Sequence, residues 1–188
     1  MFYIFVIAVQ FLHKTISGNT IFMFIDKETQ RLHLRPLNTN DTLFILELLN
    51  TDEWKEFIGE RNIHNHDAAL KYIENILAHS VYYYHIIELK SDKKPVGIIT
   101  LLNRDKQQFP DIGFAFLPQY TGYGYAFEAS SFYLNLLIKE KSYSKIIGVT
   151  KPDNFKSIKL LTKLGLKYEY DQLENDTLLS VYSLKIPD

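Results

Sequence analysis

The chain has 188 residues, 46% of them hydrophobic, with a formal net charge of −1 and no cysteine. That length supports one domain with one sizeable core. The balanced charge gives no ground for a nucleic-acid partner. The lack of cysteine excludes disulfides, thiolate metal sites and cysteine nucleophiles together, and is compatible with a cytoplasmic protein.

Residues 1–25 stand apart. "MFYIFVIAVQFL" is apolar but shorter than the roughly 20 residues that span a bilayer. It lacks the basic start and small-residue cleavage site of a signal peptide. Either an over-extended reading frame or a real N-terminal extension accounts for it, and residues 26–188 form the expected domain. "RLHLRPL" (31–37) alternates and reads as a strand ended by Pro36. "NTNDTLFILELLN" carries a capping signal at Asn38, Thr39 or Asn40 before a helix. A second helix covers 67–79, where Ala69, Leu70, Ile73, Ile76 and Leu77 share a face.

The period then changes. Residues 81–89 and 96–102, separated by "SDKK", read as an antiparallel hairpin, and 111–117 as a further strand stopped by Pro118. A helix opened by Gly122 and Gly124 runs to about Lys139. Strand 145–150 and helix 154–165, with Gly165 at its C′ position, follow. Strand 178–186 closes the chain. The order β-α-α-β-β-β-α-β-α-β places it in the α+β (mixed α/β) class, with helices on the faces of a sheet.

The stretch "PQYTGYGYAFEAS" (118–130) is the most informative. A P-loop needs Gly-Lys-Ser/Thr, and no Lys follows Gly124. A dinucleotide fingerprint needs a third glycine where Phe127 stands, and an acidic residue about 20 positions on. A glycine turn that merely starts a helix is the bland alternative. The other reading is a pyrophosphate loop. Successive amides at a helix start present donors and the positive end of the helix dipole, and glycines let phosphates approach.

Gln119-Tyr120-Thr121-Gly122-Tyr123-Gly124 fits Gln/Arg-x-x-Gly-x-Gly/Ala directly after a proline-stopped strand. Together with "RLHLRPL", "KPVGIITL" and "VTKPDNFKSIKLLTKLGLKYE", it resembles the GNAT superfamily of N-acetyltransferases over roughly residues 28–171. The likeness is to the branch that includes ribosomal-protein N-terminal acetyltransferases. It implies a central, mostly antiparallel sheet of six to seven strands, splayed between the fourth and fifth, with helices on both faces. It implies acetyl-CoA as co-substrate and no metal. It implies that backbone groups at Phe116 and Leu117 bind the pantetheine arm. Donors from Gln119, Tyr120, Thr121, Gly122, Tyr123, Gly124, Tyr125 and Ala126 would hold the pyrophosphate. Many relatives carry Arg or Lys inside this loop. Here Tyr120, Thr121 and Tyr123 take those places, leaving Lys151, Lys156 or Lys159 as nearby helpers.

The same resemblance points Ser157, of the Asn-x-x-Ser element, at the cofactor sulfur, against a reading in which it only packs at a helix start. Asn154 is placed to cap that helix, and the resemblance implies that it also contacts the cofactor arm. Leu161 and Val149 stand where other branches place a tyrosine acid and a carboxylate. Asp111 is the candidate base, against an ordinary strand-start Asp, with His64, His66 and His85 as alternatives. Glu60 and Arg61, in the loop expected to border the acceptor site, are candidates to read the acceptor's charge, against an ordinary exposed ion pair. The expected activity is acetyl transfer from acetyl-CoA to a primary amine, either a peptide N-terminus or a small amine. A catalytically silent acyl-CoA-binding module is the competing reading. Neither a nucleic-acid nor a membrane partner is expected, and a homodimer is compatible with this reading.

Overall fold

The computed structural model describes residues 26–79, 81–104, 107–141 and 143–187. The readings for residues 1–25 lie outside them. In chain order the strands are β1 (Lys27–Glu28), β2 (Leu32–Pro36), β3 (Tyr82–Leu89), β4 (Pro95–Leu102), β5 (Asp111–Phe116), β6 (Lys145–Thr150), β7 (Lys167–Glu174) and β8 (Thr177–Lys185). The α-helices are α1 (Thr42–Leu49), α2 (Asp52–Phe57), α3 (His66–Ala78), α4 (Tyr125–Glu140) and α5 (Phe155–Lys163). All eight strands form one sheet in the order β1-β2-β3-β4-β5-β6-β8-β7. It is larger than the six to seven strands expected. The additions are the two-residue β1 and the hairpin partner β7. Because of β1, the expected fourth and fifth strands are β5 and β6.

Alternation of side chains across the pleat divides the core in two. On one face, Tyr83, Ile87, Ile99, Leu101 and Ile112 meet Ala129, Tyr133, Leu134 and Leu137 of α4 and Leu161 of α5. On the other, Ile86 and Ile98 meet Phe44, Ile45, Leu48 and Leu49 of α1, Trp54 of α2 and Ala69, Ile73 and Ile76 of α3. A central strand covered on both sides must be apolar along its whole length. β4 satisfies this, with Val96 to Leu101 all buried. The local starts are conventional. Asn65 accepts the Ala68 amide at 2.9 Å to cap α3. Asn154 accepts the Ser157 amide at 3.0 Å to cap α5. Each such cap stabilises its helix by about 1 kcal/mol.

Every neighbouring pair in the sheet is antiparallel except β5 and β6, which pair in parallel at one position, Asp111 opposite Ile147. β6 is instead held along its whole length by β8, from Lys145 opposite Lys185 to Thr150 opposite Ser180. The sheet is therefore continuous but forked, and the fork opens towards the C-terminal ends of β5 and β6.

Candidate active site

The walls of the fork follow from hydrogen-bond alternation. Gly97 lies opposite Phe116, and the Leu117 amide donates to Val96 O at 2.9 Å. Main-chain groups of successive strand residues point to opposite edges. Leu117, Ala115 and Gly113 therefore face β4, while Phe114 and Phe116 turn their N–H and C=O towards the fork. Leu117, expected to offer its main chain to a ligand, spends its amide on β4 and is itself buried. Phe114 takes its place beside Phe116. The Phe116 ring is accommodated over β4 because residue 97 lacks a side chain: a Cβ there would lie 2.4 Å from the ring.

Beyond the fork the chain makes a 3-10 turn, Pro118–Tyr120, and enters α4. The Tyr120 amide donates to Leu117 O at 2.9 Å and the Thr121 amide to Pro118 O at 3.1 Å. These two expected donors are thus consumed by the turn. Gln119 reaches sideways to Glu47 Oε1 at 3.2 Å. The amides of Gly122, Tyr123, Gly124, Tyr125, Ala126 and Phe127 have no acceptor among the described residues. Gly124 caps α4 with φ +81°, and Gly122 has φ +86°. A Cβ on Gly122 would project into open space. The result is an uncovered row of donors at the positive end of a 16-residue helix, which is anion-binding geometry. These residues fit a pyrophosphate.

Arg31 is a component of this loop that no local motif announces. Its Nε donates to Glu128 Oε2 at 2.7 Å, and its Nη1 donates to Tyr123 O at 3.1 Å. The guanidinium stacks 4.6 Å from the Tyr125 ring centroid, and that ring stacks on Tyr123. Glu128 also accepts from the Thr29 hydroxyl at 2.6 Å and the Arg31 amide at 2.9 Å. Burial works to raise the Glu128 carboxyl, but the hydrogen bonds from Thr29 and Arg31 outweigh it and hold its pKa below the usual value. Arg31 thereby ties the loop to the leading end of β2 and offsets an anion in the first turn of α4. Two of the three lysines named as helpers are engaged by α2. Lys151 Nζ donates to Glu56 O, and the exposed Lys156 lies 3.9 Å from Glu53.

Across the fork, Asn154 and Ser157 sit at the start of α5. The Ser157 hydroxyl is half-buried and has no hydrogen-bond partner among the described residues. Leu161 is fully buried against Gly148, whose added Cβ would lie 2.5 Å from Leu161 Cδ2. Beside Asn154, a cleft of about 390 Å³ lies between α2 and the β6–α5 turn, lined by Asp52, Glu53, Glu56, Asp153 and Phe155. Four of the lining side chains are carboxylates, and Lys156 also lines the cleft.

Asp111 is 3% exposed. Its Oδ1 accepts the Val149 amide at 3.2 Å, and its Oδ2 lies 3.0 Å from Arg104 Nη2. Burial raises its pKa, with Arg104 working against the rise. The histidine alternatives are dispersed. His85 is buried, edge-on to Tyr133 at 5.1 Å, in the core beneath α4. His64 and His66 are exposed. Glu60 accepts the amides of Arg61 and Asn62 at 3.0 Å each, so it orders its own loop. No group of three or more His, Cys, Asp or Glu among the described residues is placed to hold a metal ion. No helix among them is long and apolar enough to cross a membrane.

Comparison with known proteins agrees with this geometry. A family model described as an acetyltransferase (GNAT) domain matches residues 31–167. Two Bacillus subtilis proteins named as uncharacterized N-acetyltransferases, YnaD and YoaA, are similar. The first is 24% identical over 75% of this chain and 82% of its own, the second 28% identical over 78% and 85%. Among solved structures, a ribosomal-protein-S5-alanine acetyltransferase from Vibrio fischeri superposes with TM-score 0.74 at 17% identity, covering 87% of this chain and 98% of that one. Mycobacterium smegmatis RimJ, solved in complex with CoA-disulfide, superposes with TM-score 0.71 at 18% identity, covering 82% and 81%. The chain belongs to the GNAT acetyltransferase family, and it is an acyltransferase.

Proposed function

We propose that this acyltransferase moves an acetyl group from acetyl-CoA to a primary amine, by direct attack while both substrates are bound, in the cytoplasm. The observation that carries the reading is the row of six uncovered amides, Gly122 to Phe127, at the mouth of a fork whose β5 wall has spare main-chain groups. Acetyl-CoA supplies the activated thioester. The amides from Gly122 to Phe127 hold its pyrophosphate, and Phe114 and Phe116 bind the pantetheine amides as a neighbouring strand would. Asn154 contacts the same arm while capping α5.

Holding amine and thioester at attack distance supplies much of the acceleration. The Ser157 hydroxyl, which has no partner among the described residues, donates to the sulfur as negative charge develops there. The cleft beside Asn154, lined by four carboxylates and Lys156, suits a cationic amine, which releases a proton to solvent before its neutral nitrogen attacks the thioester carbonyl and CoA leaves as the thiol. The acceptor is a peptide N-terminus or a small amine. The neighbour whose name specifies a ribosomal-protein alanine supports the former.

The test is thiol release from acetyl-CoA in the presence of a panel of N-terminal peptides and small amines, beside calorimetry with CoA alone. CoA binding and amine-dependent thiol release are expected. No CoA binding at millimolar concentration would overturn the reading.

A further inference from the structure

We propose that Asp111 is a positioning residue whose carboxylate ends the β5–β6 ladder and holds the fork open, rather than the group that takes the amine's proton. The inference rests on the acetyl-CoA reading above. In a parallel ladder the bonds from one strand alternate between the residues flanking its partner. Ile147, opposite Asp111, donates its amide to Pro110 O at 3.0 Å, as that pattern requires. The next amide on the same edge of β6 is Val149, and a continued ladder would send it to Ile112 O. It goes instead to Asp111 Oδ1 at 3.2 Å. A side chain has replaced the rung, and β6 is released from β5 at that residue.

This substitution satisfies the amide of half-buried Val149 without recruiting Ile112. It also leaves the Ile112 carbonyl and the fork-facing groups of Phe114 and Phe116 without a β6 partner, and these are the groups a pantetheine arm needs. The second oxygen is anchored too, by Arg104 at 3.0 Å, which fixes the carboxylate plane. Burial raises the Asp111 pKa, and that alone would suit a base. The geometry does not: both oxygens already accept, and the residue is 3% exposed at the closed end of the fork.

Asparagine and alanine separate the two roles. Asp111→Asn keeps an oxygen for the Val149 amide but cannot accept a proton. Asp111→Ala removes the wedge and frees Val149 to rejoin Ile112. If Asp111 positions, D111N lowers kcat/KM by about threefold to tenfold, mostly through KM for acetyl-CoA, and its pH–rate profile keeps the wild-type shape. D111A then raises that KM well beyond the D111N value, so the amide rescues what the methyl does not. If D111N instead loses about 10²-fold or more in kcat and its profile loses the acidic limb, Asp111 is a base and the inference is overturned. Should D111A not fold in a thermal melt, D111N decides alone. A wild-type enzyme that neither binds CoA nor releases thiol would count against the acetyl-CoA reading, a result distinct from a failure of the wedge.

Discussion

Replacing Gly124 with alanine tests whether the loop before α4 is a phosphate cradle or only a turn. Gly124 has φ +81° and Gly165, at the far end of α5, has φ +94°. A left-handed conformation costs a non-glycine residue about 1–2 kcal/mol. Reduced freedom of the unfolded chain returns about 0.4–1 kcal/mol, for a net loss near 1 kcal/mol at either position. For a chain of this size that is a fall in Tm of about 2–4 °C. Neither substitution adds a severe clash: the nearest atoms to the new Cβ are Arg31 Nη2 at 3.6 Å and Leu184 Cδ1 at 3.9 Å. The two variants therefore match in backbone strain and differ in what the methyl group covers. At 124 it stands among the uncovered amides; at 165 it does not. Obstructing one charge-assisted hydrogen bond is worth about 1.5–3 kcal/mol, or roughly tenfold to a hundredfold in CoA affinity. Differential scanning fluorimetry and titration calorimetry with CoA should show equal losses of Tm and a loss of affinity in G124A alone. Equal Tm losses with wild-type CoA affinity in both would reduce Gly124 to a turn residue and refute the cradle.

Other substitutions address other parts of the site. Ser157→Ala should lower kcat by about 10²-fold with KM for acetyl-CoA little changed, since a donor that acts on developing charge is missed in the transition state; steady-state kinetics reads this. Arg31→Gln should raise KM for acetyl-CoA severalfold while sparing kcat, because it frees Tyr123 O and leaves Glu128 unscreened beside the loop. Glu128 also has a pH signature. Its folded pKa is depressed, so its stabilisation is present above the unfolded value of about 4.3 and fades as pH falls towards the folded value. Glu128→Gln should therefore flatten the acid limb of a Tm–pH curve below about pH 5, and an unchanged limb would contradict the assigned hydrogen bonds. Gly148→Ala should cost about 1–3 kcal/mol by overpacking against Leu161, and should lower kcat as well because Ser157 rides on the same helix.

What could be read from the sequence was what is encoded locally. Strand 145–150 matches β6 residue for residue, and Gly165 marks the end of α5 because a helix C′ position wants φ above zero. The Gly-x-Gly loop is likewise a contiguous signal. β7 was missed for a physical reason. It is an edge strand, exposed over most of its length, and its alternation is short: Tyr168 and Tyr170 alternate with charged residues, but Gln172 breaks the pattern and Leu173 is out of phase. Its signal was the turn: Asn175 and Asp176, at φ +47° and +60°, are the residue types that a two-residue hairpin loop selects. The six-residue α2 is too short for periodicity, although Thr51 before Asp52 and Glu53 is a capping pattern. Arg31 and Glu128 lie 97 positions apart, and only the fold brings them together. His85 carried the chemistry of a base in one dimension and proved to be core.

The fork raises the question of how a sheet can leave main-chain groups unpaired and remain stable. The answer lies in how β6 is held. It makes one parallel pairing with β5 but six antiparallel ones with β8, and Gly148 lets Leu161 of α5 close on its surface. β6 is thus fixed by the neighbour and the helix on its far side, and it needs no ladder to β5. On that view the second half of the sheet is held in place by packing, and no β5–β6 pairing closes the gap beyond Asp111 and Ile147. A ligand that fills it restores the absent hydrogen bonds without moving either half. The proposed cofactor should therefore stabilise the fold by simple mass action, about 2.7 kcal/mol at a hundred times its Kd, with little change in the sheet. Amide exchange at Phe114 and Phe116 should slow on CoA addition while that at Leu117, already bonded to Val96, stays as it was. Protection gained at Leu117 instead would mean that the strand edge had been assigned the wrong way round.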